Sequence, residues 1–379
     1  MTTSTPLRHG TRPAARSTAL RGGFAGLAAL ALTLAAASPA SAAPNDPFYA
    51  KQYGPQQVRA EQAWATSRGA GVVVAVVDSG VDLSHPDLKG KLVRGATFVD
   101  CSPSCGNGDW RGPDGVGQSA DSHGTHVSGI VAAATGNGIG MAGVAPDAKI
   151  MPIKVLEDGS GSFEDIASGI RYAADNGAKV VNLSLGALQG VQALTVTGII
   201  SDVQDAVTYA RSKGVSVIAA ASNDAVPLCN TPGFDAGTIC VAATDKREAP
   251  AAYSSGTIKP DLKAVSAPGG SALPACGEDI VSTVPAGQGR SAVCGYGIDY
   301  DEYAGTSMAT PHVAGVAALL FAQGRTLDNV ETTLLSTART PGSLARGVYT
   351  TEYGYGIVDA QAAVAAPGAT TTTPKRTKG

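Results

Sequence analysis

Four polar residues stand beside apolar segments, and their types suit nucleophilic attack on a carbonyl group. Asp78 follows the apolar run 71–77, Asn223 follows the segment 215–221, and His123 and Ser307 each begin a stretch with helical apolar spacing. Ligands of parallel sheets bind at the carboxyl ends of the strands. We therefore expect these four side chains to converge on one crevice.

A serine nucleophile needs a base, because its hydroxyl is a poor nucleophile until it loses its proton. Three of the five histidines lie in the N-terminal segment, in a loop and inside a later helix, where we expect no base: His9, His85 and His312. His123 follows polar residues and precedes a glycine, which suits an exposed imidazole at a helix start. His126 lies deeper in the apolar stretch and is the alternative. We predict His123 as the base for Ser307.

The imidazole of a general base needs a carboxylate at its other nitrogen, which fixes the tautomer and stabilises the imidazolium. Asp78 suits this role, and Asp82 in the following loop is the competing carboxylate. The negative charge that develops on the substrate oxygen needs hydrogen-bond donors. The side-chain amide of Asn223 and the backbone amide of Ser307, at a helix N-terminus, are the predicted donors.

Each of these residues also has an ordinary structural explanation when it is taken singly. An Asn after a strand is typical of a turn, and a Ser before a helix is typical of an N-cap. The pair His123 and His126 resembles half of a zinc site. The combination of all four residues favours the catalytic interpretation.

The elements that must position these residues alternate between strands and helices. Continuous β-branched runs predict buried parallel strands, and a period near 3.6 predicts helices between them. The predicted strands are 71–77, 148–156, 178–185, 215–221 and 238–243, and the predicted helices are 164–176, 202–213 and a long helix from Thr306 to about Gly324. We predict a single α/β domain over residues 43–366, with a doubly wound, mostly parallel sheet flanked by helices.

The N-terminal segment has the pattern of a secretory signal peptide. Four arginines and no acid precede the apolar stretch 23–37, which runs into the small residues Ala40-Ser41-Ala42. We predict that residues 1–42 are removed and that the protein is secreted and extracellular, without stable membrane association. The alternative is an uncleaved membrane anchor, because residues 22–43 carry no charge.

Composition and charge exclude several classes of protein. The chain has 44% hydrophobic and 16% charged residues, which is typical of a globular protein and not of a disordered chain or a membrane bundle. Its formal net charge of −3 becomes −7 when the four arginines of the predicted signal peptide are lost, so no nucleic-acid partner is expected. The Thr-rich residues 367–379 are predicted to form a flexible tail. We expect a monomer.

Six cysteines in an exported chain favour three disulfides. Many connectivities are possible, so the sequence leaves the pairing open. Our hypothesis joins neighbours along the chain: Cys101 with Cys105, Cys229 with Cys240, and Cys276 with Cys294. A zinc site is not favoured, because the chain has no paired C-x₂-C motif.

Longer motifs around the candidate residues resemble the subtilases, or subtilisin-like serine peptidases, and most closely their secreted thermitase-like members. The matching segments are VAVVDSGVD at Asp78, HGTHVSGI at His123, VVNLSLG at 180–186, AAASND at Asn223, and GTSMATPHVAG at 305–315. The chain order Asp, His, Ser is also that of subtilisin. The resemblance spans nearly all of the predicted mature chain and implies a subtilisin-like fold.

The resemblance implies a serine endopeptidase that hydrolyses polypeptide substrates through an acyl-enzyme on Ser307. Asp78, His123 and Ser307 correspond to the catalytic triad, and Asn223 corresponds to the oxyanion-hole donor. Two further segments correspond to the strands between which the family binds a peptide through main-chain hydrogen bonds: Gly159, Ser160, Gly161 and Ser184, Leu185, Gly186. An ordinary Gly-rich loop is the alternative explanation for the first segment.

The resemblance also implies a structural calcium ion held by oxygen ligands from separate segments. The corresponding residues are Asp46, Asp87, the side chain of Asn137, and the carbonyls of Ile139 and Met141. Hard oxygen ligands of this kind suit Ca²⁺. A solvated carboxylate near the terminus is the alternative explanation for Asp46.

The chain departs from the family pattern beside Asn223. The glycine that usually precedes this residue is Ser222 here, and Asp224 follows. An acid near the primary specificity pocket favours substrates with basic residues, in addition to a broad preference for apolar residues, unless water screens its charge.

Two functions are the alternatives to a general endopeptidase. One is a dedicated processing protease, and the other is a catalytically silent subtilase fold that binds proteins.

Overall fold

A computed structural model describes residues 43–99, 122–187, 191, 193 and 201–368 of the chain. These residues all belong to one compact unit. The predicted signal peptide, the predicted pair Cys101–Cys105 and residues 369–379 of the predicted tail lie outside the described residues.

Apolar β-branched segments form a seven-stranded sheet in which every neighbouring pair of strands is parallel. The strand order is β2-β3-β1-β4-β5-β6-β7. The strands are β1 Val73–Asp78, β2 Ala96–Thr97, β3 Lys149–Lys154, β4 Val180–Leu183, β5 Ser216–Ala220, β6 Ile239–Thr244 and β7 Ala264–Pro268. The chain builds outward from β1 in both directions, so the carboxyl end of β1 lies at the switch point where doubly wound sheets bind ligands.

Helices cover both faces of the sheet, because alternate strand residues point to opposite faces. The helices are α1 Tyr53–Gln57, α2 Ala60–Trp64, α3 His123–Ala132, α4 Phe163–Asp175, α5 Asp202–Ser212, α6 Thr306–Phe321, α7 Leu327–Thr337 and α8 Ala360–Ala365. Ala75 and Val77 belong to the core formed with α4 and α5. Val74 and Val76 belong to the core formed with α3 and α6. The predicted doubly wound α/β fold is therefore confirmed.

A second, two-stranded antiparallel sheet lies between the main sheet and α6 in the sequence. It pairs β8 Ile280–Thr283 with β9 Tyr300–Tyr303, and a short 3₁₀ helix, Ser291–Cys294, lies in their connection. Cys276 and Cys294 form a disulfide in this region, and Cys229 and Cys240 form another between the loop after β5 and strand β6. These two predicted pairings are confirmed.

The predicted strand and helix bounds agree with the structure to within about three residues. The long helix ends at Phe321, slightly before Gly324, which has a positive φ of 76°. The β8–β9 hairpin was not predicted, because its polar strand YDEY has no apolar alternation. Within the described ranges, the helices are too short or too polar for any of them to span a bilayer.

Candidate active site

Asp78 and His123 form a direct pair at the carboxyl end of the sheet. His123 Nδ1 lies 2.7 Å from Asp78 Oδ1, and the side chains are 28% and 0% exposed. Asp78 is the last residue of β1, and His123 is the first residue of α3. A Cβ atom on Gly124 would lie 2.1 Å from the Gly80 carbonyl oxygen, so only glycine permits this close approach of α3 to the end of β1. In a neutral imidazole, a carboxylate at Nδ1 favours the tautomer that carries its proton on Nδ1 and its lone pair on Nε2.

Ser307 is the second residue of α6, where the backbone amides of the first turn lack helical partners. Its hydroxyl donates to the main-chain carbonyl of Ser184 at 3.1 Å. Ser184 in turn donates its hydroxyl to the Ser307 carbonyl at 2.7 Å, and it accepts from the side-chain amide of Asn182 at 2.9 Å. The start of α6 is therefore tied to the segment that follows β4.

Thr306 orients the side-chain amide of Asn223. The Asn223 Oδ1 atom accepts from the Thr306 amide at 2.9 Å and from the Thr306 hydroxyl at 3.1 Å. The Asn223 oxygen is thus engaged by two donors, which leaves the NH₂ group as the end that can donate to a substrate. A Cβ atom placed on Gly305 would lie 3.4 Å from Asn223 Nδ2 and 3.6 Å from the Ser307 amide nitrogen. The two predicted oxyanion donors therefore border the same space.

Ser222 adopts a left-handed backbone conformation with a φ of 92°. This conformation favours glycine, so a serine here is strained. Three hydrogen bonds hold it: the Ser222 amide donates to Thr306 Oγ1 at 3.2 Å, the Ser222 carbonyl accepts from the Ser255 amide at 2.8 Å, and the Ser222 hydroxyl donates to the Asp224 carboxylate. The turn that carries Asn223 is therefore pinned on both sides, and Asp224 is itself exposed.

The alternative base, His126, lies in a different environment from His123. His126 is fully buried, stacks on Tyr303 with ring centroids 4.3 Å apart, and contacts the Asp301 carbonyl through Nε2 at 3.2 Å. Burial lowers the pKa of His126 to about 3. The competing carboxylate, Asp82, accepts from the amide and hydroxyl of Ser84 at 2.8 and 2.7 Å and so caps a turn.

A cavity of about 620 Å³ adjoins His123. Apolar side chains line part of this cavity. Both predicted substrate segments also line it, with Gly159, Ser160 and Gly161 from the first and Ser184, Leu185 and Gly186 from the second. The first segment begins with a tight turn in which the Glu157 amide donates to the Ser160 carbonyl at 2.8 Å and the Ser160 amide donates to the Glu157 carbonyl at 2.9 Å. Asp158 and Gly159 occupy the turn with φ values of 47° and 74°, which is typical of a hairpin turn.

The residues predicted for calcium lie together around the loop 136–141. Asp46 is buried and accepts from the Gly136 amide at 2.8 Å and the Asn137 amide at 3.1 Å. Asp87 is buried and accepts from the Asn137 side chain at 2.8 Å and the Met141 amide at 3.1 Å. Burial raises the pKa of Asp87. Two buried carboxylates with only N–H and O–H partners among the described residues form a site that a cation would stabilise.

The donor set fits Ca²⁺ in chemistry, with one difference from the expected arrangement. In the described ranges, no three or more His, Cys, Asp or Glu side chains are grouped so that they could hold a metal ion, so an amide and main-chain oxygens would have to complete the site. The Asn137 amide directs Nδ2 toward Asp87, and its oxygen accepts from the Ile139 amide at 3.0 Å. Asn137 would therefore have to turn its amide to present oxygen to an ion.

Sequence reasoning missed three residues that contact the site. Ser79 donates its amide to Asp78 Oδ1 at 2.8 Å, and its hydroxyl accepts from the Gly124 amide at 3.0 Å. Thr306 orients Asn223, and Lys154 is buried beside the end of β1. A buried lysine at the end of the apolar strand KIMPIK was a visible signal, whereas the role of Ser79 depends on contacts between separate elements.

Comparisons with known proteins agree with this geometry. The profile of the Subtilase family matches residues 69–356. The chain is 41% identical to "Thermitase" of Thermoactinomyces vulgaris, over 78% of this chain and 91% of that protein. It is 40% identical to "Thermophilic serine proteinase" of Bacillus sp. (strain AK1), over 76% of this chain and 61% of that protein. A solved structure of a protease from Pseudoalteromonas arctica PAMC 21717 matches with a TM-score of 0.70 and 34% identity, over 85% of this chain and 98% of that chain.

The profile match covers most of the chain, and the thermitase match extends over nearly the whole length of that relative. The resemblance predicted from the motifs is therefore confirmed, as is the prediction of an enzyme. The chain belongs to the subtilase family, the subtilisin-like serine proteases.

Proposed function

We propose that this protein is a secreted serine endopeptidase that cleaves polypeptides through an acyl-enzyme on Ser307. The observation that carries the proposal is the contact of 2.7 Å between His123 Nδ1 and the buried Asp78 carboxylate, at the start of helix α3, which packs against the helix that carries Ser307 as its second residue. A histidine held in this tautomer is ready to accept a proton at Nε2.

The proposed reaction begins when the Ser307 hydroxyl turns from the Ser184 carbonyl and attacks the peptide carbonyl. His123 Nε2 takes the hydroxyl proton as the new C–O bond forms, and Asp78 stabilises the imidazolium. The negative oxygen of the tetrahedral intermediate accepts hydrogen bonds from the Asn223 side chain and the Ser307 amide. His123 then gives its proton to the leaving amine as the C–N bond breaks, and a water molecule activated by His123 hydrolyses the ester.

We infer that the substrate binds in extended form between the segments Gly159–Gly161 and Ser184–Gly186. These segments line the same cavity as His123, and their small residues leave space for substrate side chains. Main-chain hydrogen bonds to an added strand bind many sequences, because every peptide offers the same backbone groups. Asp224, exposed beside Asn223, is proposed to favour basic residues at one substrate position.

Export is supported by the signal-peptide pattern of residues 1–42 and by the names of related proteins. The chain is 37% identical to "Extracellular protease" of Xanthomonas campestris, over 86% of this chain and 57% of that protein. The two confirmed disulfides agree with an oxidising compartment.

Labelling with a fluorophosphonate probe tests the proposed function. We expect the purified full chain to be labelled, whereas the variants Ser307→Ala and His123→Ala are not, because the first lacks the nucleophile and the second lacks its base. Casein digestion should follow the same pattern. Equal labelling of Ser307→Ala, or no labelling of a wild-type protein that unfolds cooperatively, would refute the proposal.

We propose that Asp46, Asp87 and Asn137 hold a structural Ca²⁺, with main-chain oxygens of the same loop. The bound ion would neutralise two buried carboxylates and tie the N-terminal segment to the loop after α3. Such an ion would stabilise the folded state.

Calcium removal should therefore lower the thermal unfolding midpoint. In a Ser307→Ala background, which prevents self-digestion, we expect EDTA to lower the midpoint by about 5–10 °C. The variant Asp87→Asn should lose most of this response, because a neutral amide replaces one ligand carboxylate. Asp147→Asn is the control, since Asp147 pairs with Arg68 at the surface. The calcium site would be disproved by equal EDTA responses in wild type and Asp87→Asn.

A further inference from the structure

Strand β3 ends with a buried lysine beside the catalytic carboxylate. The Lys154 side chain is 2% exposed, and residue 154 lies opposite Asp78 in the parallel pairing of β3 with β1. Burying an ammonium group is costly unless oxygen atoms replace its water. Its three partners are the Ser79 carbonyl at 3.1 Å, the Leu156 carbonyl at 2.8 Å and the carboxylate of Glu157.

On one side, Lys154 holds the residue that organises the catalytic pair. Ser79 donates its amide to Asp78 Oδ1, accepts from the Gly124 amide through its hydroxyl, and accepts from Lys154 through its carbonyl. Ser79 thus contacts the catalytic carboxylate and the first turn of the helix that begins with His123. The lysine fixes the third polar group of this residue.

On the other side, Lys154 holds the start of the proposed substrate segment. The chain from Leu156 continues into the turn that pairs Glu157 with Ser160. Leu156 and Gly159–Gly161 line the cavity beside His123. A Cβ atom on Gly161 would lie 2.1 Å from the Val155 carbonyl oxygen, so the segment is packed closely against the end of β3.

We propose that Lys154 is a positioning residue that sets the distance between the substrate segment 159–161 and the catalytic pair of Asp78 and His123. This inference rests on the proposed endopeptidase function and adds a residue to it. One ammonium group binds both the Ser79 carbonyl beside the catalytic pair and the turn at Glu157 that leads to the substrate segment. Its loss therefore frees both of them. The catalytic residues keep their own contacts when the lysine is absent.

The expected signature is therefore a loss of binding for long substrates. A tetrapeptide anilide needs the segment 159–161 in register, whereas a single-residue ester with the same terminal residue is too short to pair with that segment. We expect Lys154→Met to lower kcat/KM for the tetrapeptide about tenfold, mainly by raising KM, because a hydrogen bond to a charged group is lost on each side. The effect on the ester should stay below about twofold.

The control variant is Lys91→Met, because Lys91 gives its ammonium to the Pro146 carbonyl at the opposite end of β3. We expect this variant to keep both substrate activities within about twofold of wild type. Lys154→Arg should restore most of the tetrapeptide activity, since it keeps the charge and the donors. Equal losses on both substrates, or no loss on the tetrapeptide, would overturn the proposal.

A binding measurement separates this proposal from the proposed function. Fluorescence anisotropy of a labelled tetrapeptide is compared between Ser307→Ala and Ser307→Ala/Lys154→Met, and the dissociation constant should rise about tenfold. This result does not depend on catalysis, so a wild type without peptidase activity would contradict only the proposed function. If the Lys154→Met protein does not fold, Glu157→Gln replaces it, because Glu157 is 39% exposed and its neutralisation removes the ion pair between the lysine and the turn. An unchanged dissociation constant in Glu157→Gln would then refute the positioning role.

Discussion

At the scale of single residues, burial decides which histidines are able to exchange protons. His123 is partly exposed and paired with Asp78, whereas His126 and His312 are fully buried. Burial lowers the pKa of His312 to about 4, and its Nδ1 atom contacts the Met308 carbonyl at 2.8 Å. The same residue type thus serves as a candidate base at a helix start and as a neutral packing group inside a helix.

His312 should make the folded state less stable as the pH falls. The unfolded chain binds a proton at this residue near its ordinary pKa of about 6.5, whereas the folded chain resists protonation down to about 4. Between these values the unfolded state binds more protons, so the free energy of unfolding decreases with decreasing pH. The variant His312→Gln has no group at this position that binds a proton in this pH range. In a Ser307→Ala background, we expect the stability advantage of His312 over Gln to shrink by about 2 kcal/mol between pH 7.5 and pH 5.

Urea unfolding at both pH values measures this change. Burial raises the pKa of Asp235 to about 6, so this residue makes the free energy of unfolding increase as the pH falls. Both proteins contain Asp235, so its contribution cancels in the stability difference between wild type and variant. A stability difference that is the same at pH 7.5 and pH 5 would contradict the prediction.

At the scale of elements, the β8–β9 hairpin supports the helix that carries His123. The Ser282 hydroxyl donates to the His126 carbonyl at 2.6 Å, and the Thr283 hydroxyl donates to the Thr125 carbonyl at 2.8 Å. A Cβ atom on Gly129 would lie 2.4 Å from each of these hydroxyl oxygens. Helix and hairpin therefore approach more closely than any residue larger than glycine allows.

The variant Gly129→Ala should separate these two elements. The added methyl group must displace both hydroxyls from their carbonyl partners, and we expect a loss of about 1–3 kcal/mol in the free energy of unfolding. Gly90→Ala is the control, because a Cβ atom there meets nothing within 4 Å. Urea unfolding of both variants in the Ser307→Ala background gives the comparison. Equal stability of the two variants would show that the hairpin yields without cost.

At the scale of the whole molecule, a buried charge network joins elements that are distant in sequence. The Glu331 side chain on α7 is 4% exposed and forms an ion pair with Arg211 on α5. It forms a second ion pair, at 2.8 Å, with Lys263, which precedes β7. The Ser216 hydroxyl at the start of β5 also donates to Glu331 at 3.4 Å. One carboxylate thus connects two helices with strand β5 and with the residue that precedes β7.

Removing the charge of Glu331 should destabilise the fold strongly. Glu331→Gln leaves two cations without their buried partner, and we expect a loss of about 3 kcal/mol. Asp175→Asn is the matched control, because Asp175 pairs with Lys213 at a surface where both side chains are about half exposed. That substitution should cost less than about 1 kcal/mol. Chemical denaturation of both variants tests the difference, and similar small losses would mean that the network contributes no more than a surface pair.

Local patterns in the sequence were sufficient for the fold class and the family. A parallel strand that is buried on both faces needs a largely continuous apolar run. Five of the seven strands of the main sheet, β1 and β3 to β6, were therefore predicted from their local sequence. The motifs around Asp78, His123 and Ser307 are local for the same reason, since each lies at one end of one element. Pairing of neighbouring cysteines was a hypothesis that needed the structure.

Tertiary structure alone decided what holds these residues in place. Ser79, Lys154 and Thr306 act through contacts with other elements, and a contact between distant segments leaves no periodic signal in either of them. The β8–β9 hairpin was missed because its strand β8 packs against α3, and strand propensity depends on such context. The sequence alone therefore determines which residues are able to do chemistry, because residue type and local pattern set that ability. Only the fold decides their spacing, because that spacing depends on the packing of helices and strands far apart in the chain.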